Sequence, residues 1–201
     1  MNSTVSVILK VALSLLIVFL AYKLYAIIQE PIRYQEIKTK RYNQVKLRLE
    51  QIRDAQKIHR EVFDGFTADL DRLIAFVDTG RKPIVLRKDS SFTYYDETYR
   101  KDMTKDTIVK RIIGYEKVQK SFPTSFQPED LRYIPFSNQQ EFKMDAGKVT
   151  INDVTVPVFE AAAPDTLIFH DMIDDYDRYI EKDHVLKVGS LTEPTLSGNW
   201  K

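Results

Sequence analysis

The chain has 201 residues, room for one modest domain with some extra apparatus. Its 30 Lys+Arg and 29 Asp+Glu nearly cancel, which argues against a basic nucleic-acid binder and an acidic-tail protein. Cysteine is absent, which excludes disulfides, thiolate metal sites and cysteine nucleophiles, and only 6 glycines are left for phosphate-cradling loops.

The mean hydropathy of -0.33 conceals an uneven distribution. The 24 residues Val5–Ile28, VSVILKVALSLLIVFLAYKLYAII, are almost wholly apolar. A helix of that length spans a hydrocarbon core of about 30 Å. Lys10 and Lys23 lie towards its ends, where long stems carry the ammonium to the interface, and Tyr22 and Tyr25 suit an aromatic belt. We expect a retained anchor centred on Val11, Leu13, Leu15, Leu16, Ile17, Val18, Phe19 and Leu20, in contact with membrane lipid. A cleaved signal peptide is the rival, but no small-x-small cleavage site follows the apolar run.

Residues 31–80 read as a helical stalk and a return helix. Pro31 can bend or restart the helix at the membrane surface. Val45, Leu49, Ile52, Ala55, Ile58, Val62 and Phe66 recur at helical spacing. This stripe either packs on the chain's own domain or forms a seam with a partner helix. We carry forward the seam, Val45, Leu49, Ile52, Ile58 and Val62, as an interaction stripe for a homodimer or heterodimer. Between Arg33 and Glu61 there are nine basic residues and four acidic ones, a pattern that suits anionic lipid better than nucleic acid. His59 reads as a surface residue of this helix. Gly65 supplies a helix stop, Thr67 an N-cap, and Leu70, Leu73, Ile74 and Val77 a buried face that Gly80 closes.

Residues 81–190 read as a small α+β domain, and 191–201 as a flexible tail. Pro83–Leu86 and Phe92–Tyr95 are β-prone, and 107–122 leans towards extended structure. Strands are expected at Leu131–Phe136, Glu141–Met144, Lys148–Ile151, Val154–Glu160 and Val185–Val188, with Asn152-Asp153 as a tight turn. Pro157 suggests an edge or bulged strand. Pro164-Asp165 opens an expected helix with Ile168, Met172, Ile173, Tyr176 and Ile180 on its buried face. The fold class expected is therefore α+β: a transmembrane helix continuing into a stalk, then a small mixed or antiparallel sheet with one or two packed helices.

No catalytic motif is present: HExxH, GxSxG, Walker A and GxGxxG are all missing. On a helix, Asp171, Asp174 and Asp175 would share a face, and their oxygens make them the candidates for a divalent cation. The EF-hand glycine and terminal glutamate are lacking, so a solvated acidic face with no metal or other cofactor is the expectation. Phe92, Tyr94, Tyr95 and Tyr99 suit either partner binding or a core.

A short N-terminal tail, one anchor, a helical stalk and a small α+β domain resemble the single-pass platform and alignment proteins of type IV pili and type II secretion. The resemblance covers the layout of nearly the whole chain and no specific motif. Leu49–Val77, LEQIRDAQKIHREVFDGFTADLDRLIAFV, is also similar to the end of a pilin spine and its first turn, though the Gly-Phe-x-x-x-Glu leader signature is lacking. The resemblance implies a scaffold that dimerises through its stalk and pairs through its small domain, and it transfers no catalytic residue. We expect a non-enzymatic subunit of an envelope complex in a bacterial inner membrane with its domain in the periplasm, although Arg33, Lys38, Lys40, Arg41, Lys46 and Arg48 after the anchor would by the positive-inside rule alone put that domain in the cytoplasm. A ligand- or metal-sensing domain, and a tethered enzyme without a recognisable motif, are the alternatives.

Overall fold

The computed structural model describes residues 3–200, with side-chain surroundings from residue 7 onward. The ends of the expected anchor and tail segments, Met1, Asn2 and Lys201, lie outside the described residues. The fold is α+β. One helix, α1, runs from Ser3 to Phe63 and contains Pro31 without interruption. The sequence permits this because Ala, Leu, Glu, Lys, Arg and Gln, all good helix formers, dominate its second half. Its N-terminal part is apolar and long enough to cross a membrane, and none of its most apolar window is buried among the described residues. Each of the eight residues Val11, Leu13, Leu15, Leu16, Ile17, Val18, Phe19 and Leu20 is exposed, from Leu16 at 50% to Leu15 and Val18 at 67%.

The second half of α1 is the spine of the domain. Tyr34, Val45, Leu49, Ile52 and Ala55 are buried, at three- and four-residue spacing. Ile58 and Val62 pack on the margin of the same core. The stripe expected to pair with another helix is thus covered by the chain's own domain. The reason is that the sheet has to bury its apolar face against another element, and among the described residues α1 is the long helix whose apolar stripe covers it.

At its end, α1 stops on Asp64, whose φ of 58° and N–H bond to the Arg60 carbonyl (2.8 Å) make the left-handed turn. Asp64, not Gly65, takes this conformation; aspartate is among the few side chains that tolerate it. Gln56 then fixes the returning chain. Its amide, fully buried, donates to the Thr67 carbonyl (2.6 Å) and accepts from the Thr67 N–H (3.1 Å). Helix α2, Leu70–Thr79, is capped by Asp69 and not by Thr67, because the Asp69 carboxylate accepts from the Asp71 and Arg72 N–H groups. Leu73, Ile74, Phe76 and Val77 bury its inner face. Gly80 closes it, and a Cβ there would lie 2.2 Å from the Phe76 carbonyl oxygen.

Two sheets follow. Strands β1 (Arg81–Asp96) and β2 (Lys101–Lys117) form a two-stranded antiparallel ribbon with a bulge at Ile84/Val85. The β-prone runs Pro83–Leu86 and Phe92–Tyr95 belong to one continuous strand, and 107–117 is extended, with a single 3-10 turn at Val118–Ser121. Strands β3 (Lys143–Ile151), β4 (Val154–Pro164) and β5 (Val185–Gly189) make an antiparallel sheet in the order β3-β4-β5. Asn152 (φ 49°) and Asp153 (φ 63°) form the expected hairpin turn. Pro157 lies in a central strand, yet β5 pairs only with Glu160–Pro164, so β4 has a neighbour on one side at the proline.

Residues 131–136 are not a strand. A 3-10 turn ends at Leu131, and Phe136, Asn138 and Gln139 take positive φ around Ser137, whose hydroxyl donates to the Ile134 carbonyl. The expected helix after Pro164 breaks into α3 (Asp165–Ile168), a 3-10 turn (His170–Met172), α4 (Ile173–Tyr176) and a second 3-10 turn (Asp177–Tyr179). Clustered aspartates and β-branched residues hold a helix poorly. The tail is tied down: Asn199 bonds both the Lys187 N–H and the Val185 carbonyl, Gly198 bridges to Val188, and Leu196 and Trp200 pack on the core.

Leu49 and Leu47 lie on opposite sides of one helix, the first buried and the second 57% exposed. Leu49→Ala is expected to lower unfolding free energy by about 2–5 kcal/mol, and Leu47→Ala by less than about 0.5 kcal/mol. Denaturant unfolding of the two variants in the same detergent checks this; equal effects would place the stripe outside the core.

Candidate functional site

Two groups of residues stand out once the fold is in place: a polar cluster where α1 meets the turns after β4, and the β1–β2 ribbon.

The polar cluster begins with Arg41 and Tyr42, one helical turn N-terminal to the apolar stripe. Arg41 is nearly buried. Its guanidinium donates to the Ile168 carbonyl (2.8 Å) and to both oxygens of Asp171 (2.5 and 2.8 Å), and it lies 4.7 Å above the Phe136 ring. A charge so placed has to be paired, and the fork matches a carboxylate. The Tyr42 hydroxyl donates to Asp165 (2.5 Å), which is wholly buried, and His184 Nδ1 lies 3.1 Å from the other Asp165 oxygen. The Tyr42 and His184 rings stack. Burial first, and then the bond to Asp165, push the Tyr42 phenol well above its ordinary value. Burial also pushes Tyr34 up to about 12, with the charge of Asp165 second. Lys38 adds an ion pair to Glu181 (3.1 Å).

Chemically, this arrangement is a clasp. A tyrosine held in its protonated form is a poor nucleophile, and its proton is directed at Asp165 rather than at an open face. The cluster fastens α1 to the loop between β4 and β5 just C-terminal to the apolar part of the helix. Glu30 and Arg178 form a further ion pair on the same side.

Of the cation candidates, Asp171 is engaged by Arg41, and that bond is the main reason its carboxyl is held below its ordinary 3.8. Asp174 and Asp175 lie on α4, across an irregular joint from Asp171, and are exposed. Among the described residues no three His, Asp or Glu side chains gather as a metal site. His59, expected at the surface, is buried; its Nδ1 is 2.7 Å from the Gly65 carbonyl and its ring lies between Phe63 and Phe76.

The ribbon differs in kind from the rest of the domain. Its strands run 16 and 17 residues, about 50 Å at the usual rise. Almost every side chain along it is exposed. Leu86, Phe92, Tyr94 and Val109 face solvent on one side, and Val85, Tyr95, Ile108 and Ile112 on the other. At the tip, Tyr99 is 68% exposed, and the Asp96 carboxylate accepts from the Thr98 and Tyr99 N–H groups. All four aromatics singled out in the sequence, Phe92, Tyr94, Tyr95 and Tyr99, are therefore on this arm and none is in the core.

Comparison of the chain with protein-family models, with curated proteins and with solved structures finds no match.

The lowered Asp171 carboxyl fixes a pH dependence. Its folded value is below its unfolded one, so the Arg41 bond stabilises the fold above the ordinary carboxylate range and is lost as pH falls through the folded value. Asp171→Asn is expected to be less stable than the parent at pH 7, with the gap closing towards pH 2. Thermal unfolding across that range checks it; a gap that is constant with pH would show that Asp171 acts through packing alone.

Proposed function

We propose that this chain is a non-enzymatic, single-pass membrane interaction subunit that presents the β1–β2 arm to protein partners of a bacterial envelope assembly. One observation carries the proposal: a long ribbon with apolar side chains on both faces, held out from a body rooted in an apolar helix. An isolated two-stranded ribbon is marginal in water, and exposed apolar area on this scale marks an interaction surface. Both faces gain by burial against another molecule.

The layout resembles the platform proteins of type IV pili and type II secretion, and that supports the scaffold reading. Pairing through the stalk stripe is replaced here by pairing through the arm and through the outer side of α1. That side, Pro31, Ile32, Gln35, Thr39 and Asn43, turns away from the core. A periplasmic position of the domain in an inner membrane is part of the proposal. The non-enzymatic part of the reading draws on Arg41 and Tyr42, whose polar groups are engaged by Asp171, Ile168 and Asp165, although the Tyr34 hydroxyl and one Asp165 oxygen in the same cluster have no hydrogen-bond partner.

The lack of cysteine makes the test clean. A single Ser90→Cys in the arm is expected to react with a membrane-impermeant maleimide in spheroplasts and, with a crosslinker attached, to capture a protein neighbour. Labelling only after lysis would place the domain in the cytoplasm. Capture of lipid alone would remove the interaction role.

A further inference from the structure

The arm has an electrical polarity as well as an apolar surface. Residues paired across a ribbon, and alternate residues along each strand, share a face. The register pairs Leu86 with Arg111, Lys88 with Val109, Phe92 with Lys105 and Tyr94 with Met103. That face carries Lys88, Lys101, Lys105 and Arg111 against Asp96 alone. The opposite face carries Arg87 and Lys110 against Asp89, Asp102 and Asp106. The whole arm, residues 81–117, holds ten Lys/Arg and six Asp/Glu.

The part of the domain that follows the arm has the opposite charge. Residues 118–200 hold fourteen Asp/Glu and seven Lys/Arg. The excess is greatest in the turns 171–183. Within them Asp171, Asp177 and Glu181 are paired to Arg41, Lys182 and Lys38. Asp174, Asp175 and Asp183 are exposed and have no ion-pair partner among the described residues. Tyr176 and Tyr179, half-buried beside them, supply apolar surface.

We propose that the basic, aromatic face of the arm docks on the acidic turns 171–183 of a second copy of this chain. The inference rests on the interaction-subunit reading and names its partner. Two basic faces repel each other, so the charge disfavours a symmetric arm-to-arm sandwich on this side, whereas arm against acidic turns is attractive. The size is adequate: a ribbon face about 50 Å by about 10 Å offers roughly 500 Å² per partner, near the lower end of specific interfaces. The contact is heterologous, arm of one copy to body of the next. Copies anchored in one membrane therefore close into a ring or extend as a row.

The test uses the full-length chain in lipid nanodiscs, half of it isotope-labelled, with a photo-crosslinking amino acid replacing Phe92. The expected product joins residue 92 of one copy to a peptide within 171–183 of a differently labelled copy. Lys88→Glu with Arg111→Glu is expected to lower its yield at least about tenfold, the loss of roughly 1.4 kcal/mol or more. Adding Asp174→Lys and Asp175→Lys to that variant is expected to restore it. Because the reversed variants need to remain folded for this comparison, the parent is also crosslinked at rising salt, where the yield is expected to fall as screening sets in. Arm-to-arm products, products within one copy only, or a yield indifferent to both charge reversal and salt would overturn the proposal. In native membranes, arm crosslinks solely to a different protein would overturn the second-copy inference and leave the interaction-subunit reading standing; arm crosslinks to no protein would overturn both.

Discussion

The structure depends on one face of one helix. Val45, Leu49, Ile52, Ala55, Gln56 and His59 form a continuous buried line on α1, and both α2 and the three-stranded sheet pack against it. The line is not purely apolar. Gln56 replaces backbone partners for Thr67 at one end of the core, and Arg41 reaches Ile168 and Asp171 at the other, towards the apolar part of α1. Each buried polar group is costly unless satisfied, so each fixes a register as well as a contact. A helix sliding by one turn would leave a guanidinium and an amide buried without partners.

This constraint divides the molecule's surface. The stripe is occupied internally, and it is therefore unavailable to a partner helix. The apolar area that the fold does not use lies in the first part of α1 and along the β1–β2 arm. The first is uncharged for most of its length and suits lipid. The second is interleaved with Lys, Arg and Asp and suits protein. The difference follows from composition: a lipid core rejects the charges that the arm carries every second or third residue.

Much of the architecture was legible in the sequence. The long apolar helix, the stop after Phe63, helix α2 and the Asn152-Asp153 hairpin all follow from local rules, because each depends on periodicity, capping or turn chemistry within a few residues. What was not legible depends on distant residues. Arg41 and Tyr42 lie far along the chain from Asp165, Asp171 and His184, and all look like ordinary surface residues until the fold joins them. One signal was available: Arg41, Gln56 and His59 fall in register with Val45, Leu49 and Ile52, and a polar residue at a core position points to a buried bond. In the sequence the polar stretch Lys88–Ser91 divides strand β1 into two short β-prone runs. A strand exposed on both faces has no buried side to impose alternation, so its pattern is weak.

The central claim is that the stripe is committed to the chain's own core while the arm awaits a partner. Amide hydrogen exchange measured on the full chain, first dispersed as single copies in nanodiscs and then in native membranes, tests this most directly. The account predicts that peptides from 45–59 are equally protected in both, and that 81–117 exchanges fast in the dispersed chain and slows in the membrane. An arm as protected as the core in the dispersed chain, or a stripe that gains protection only in the membrane, would contradict it.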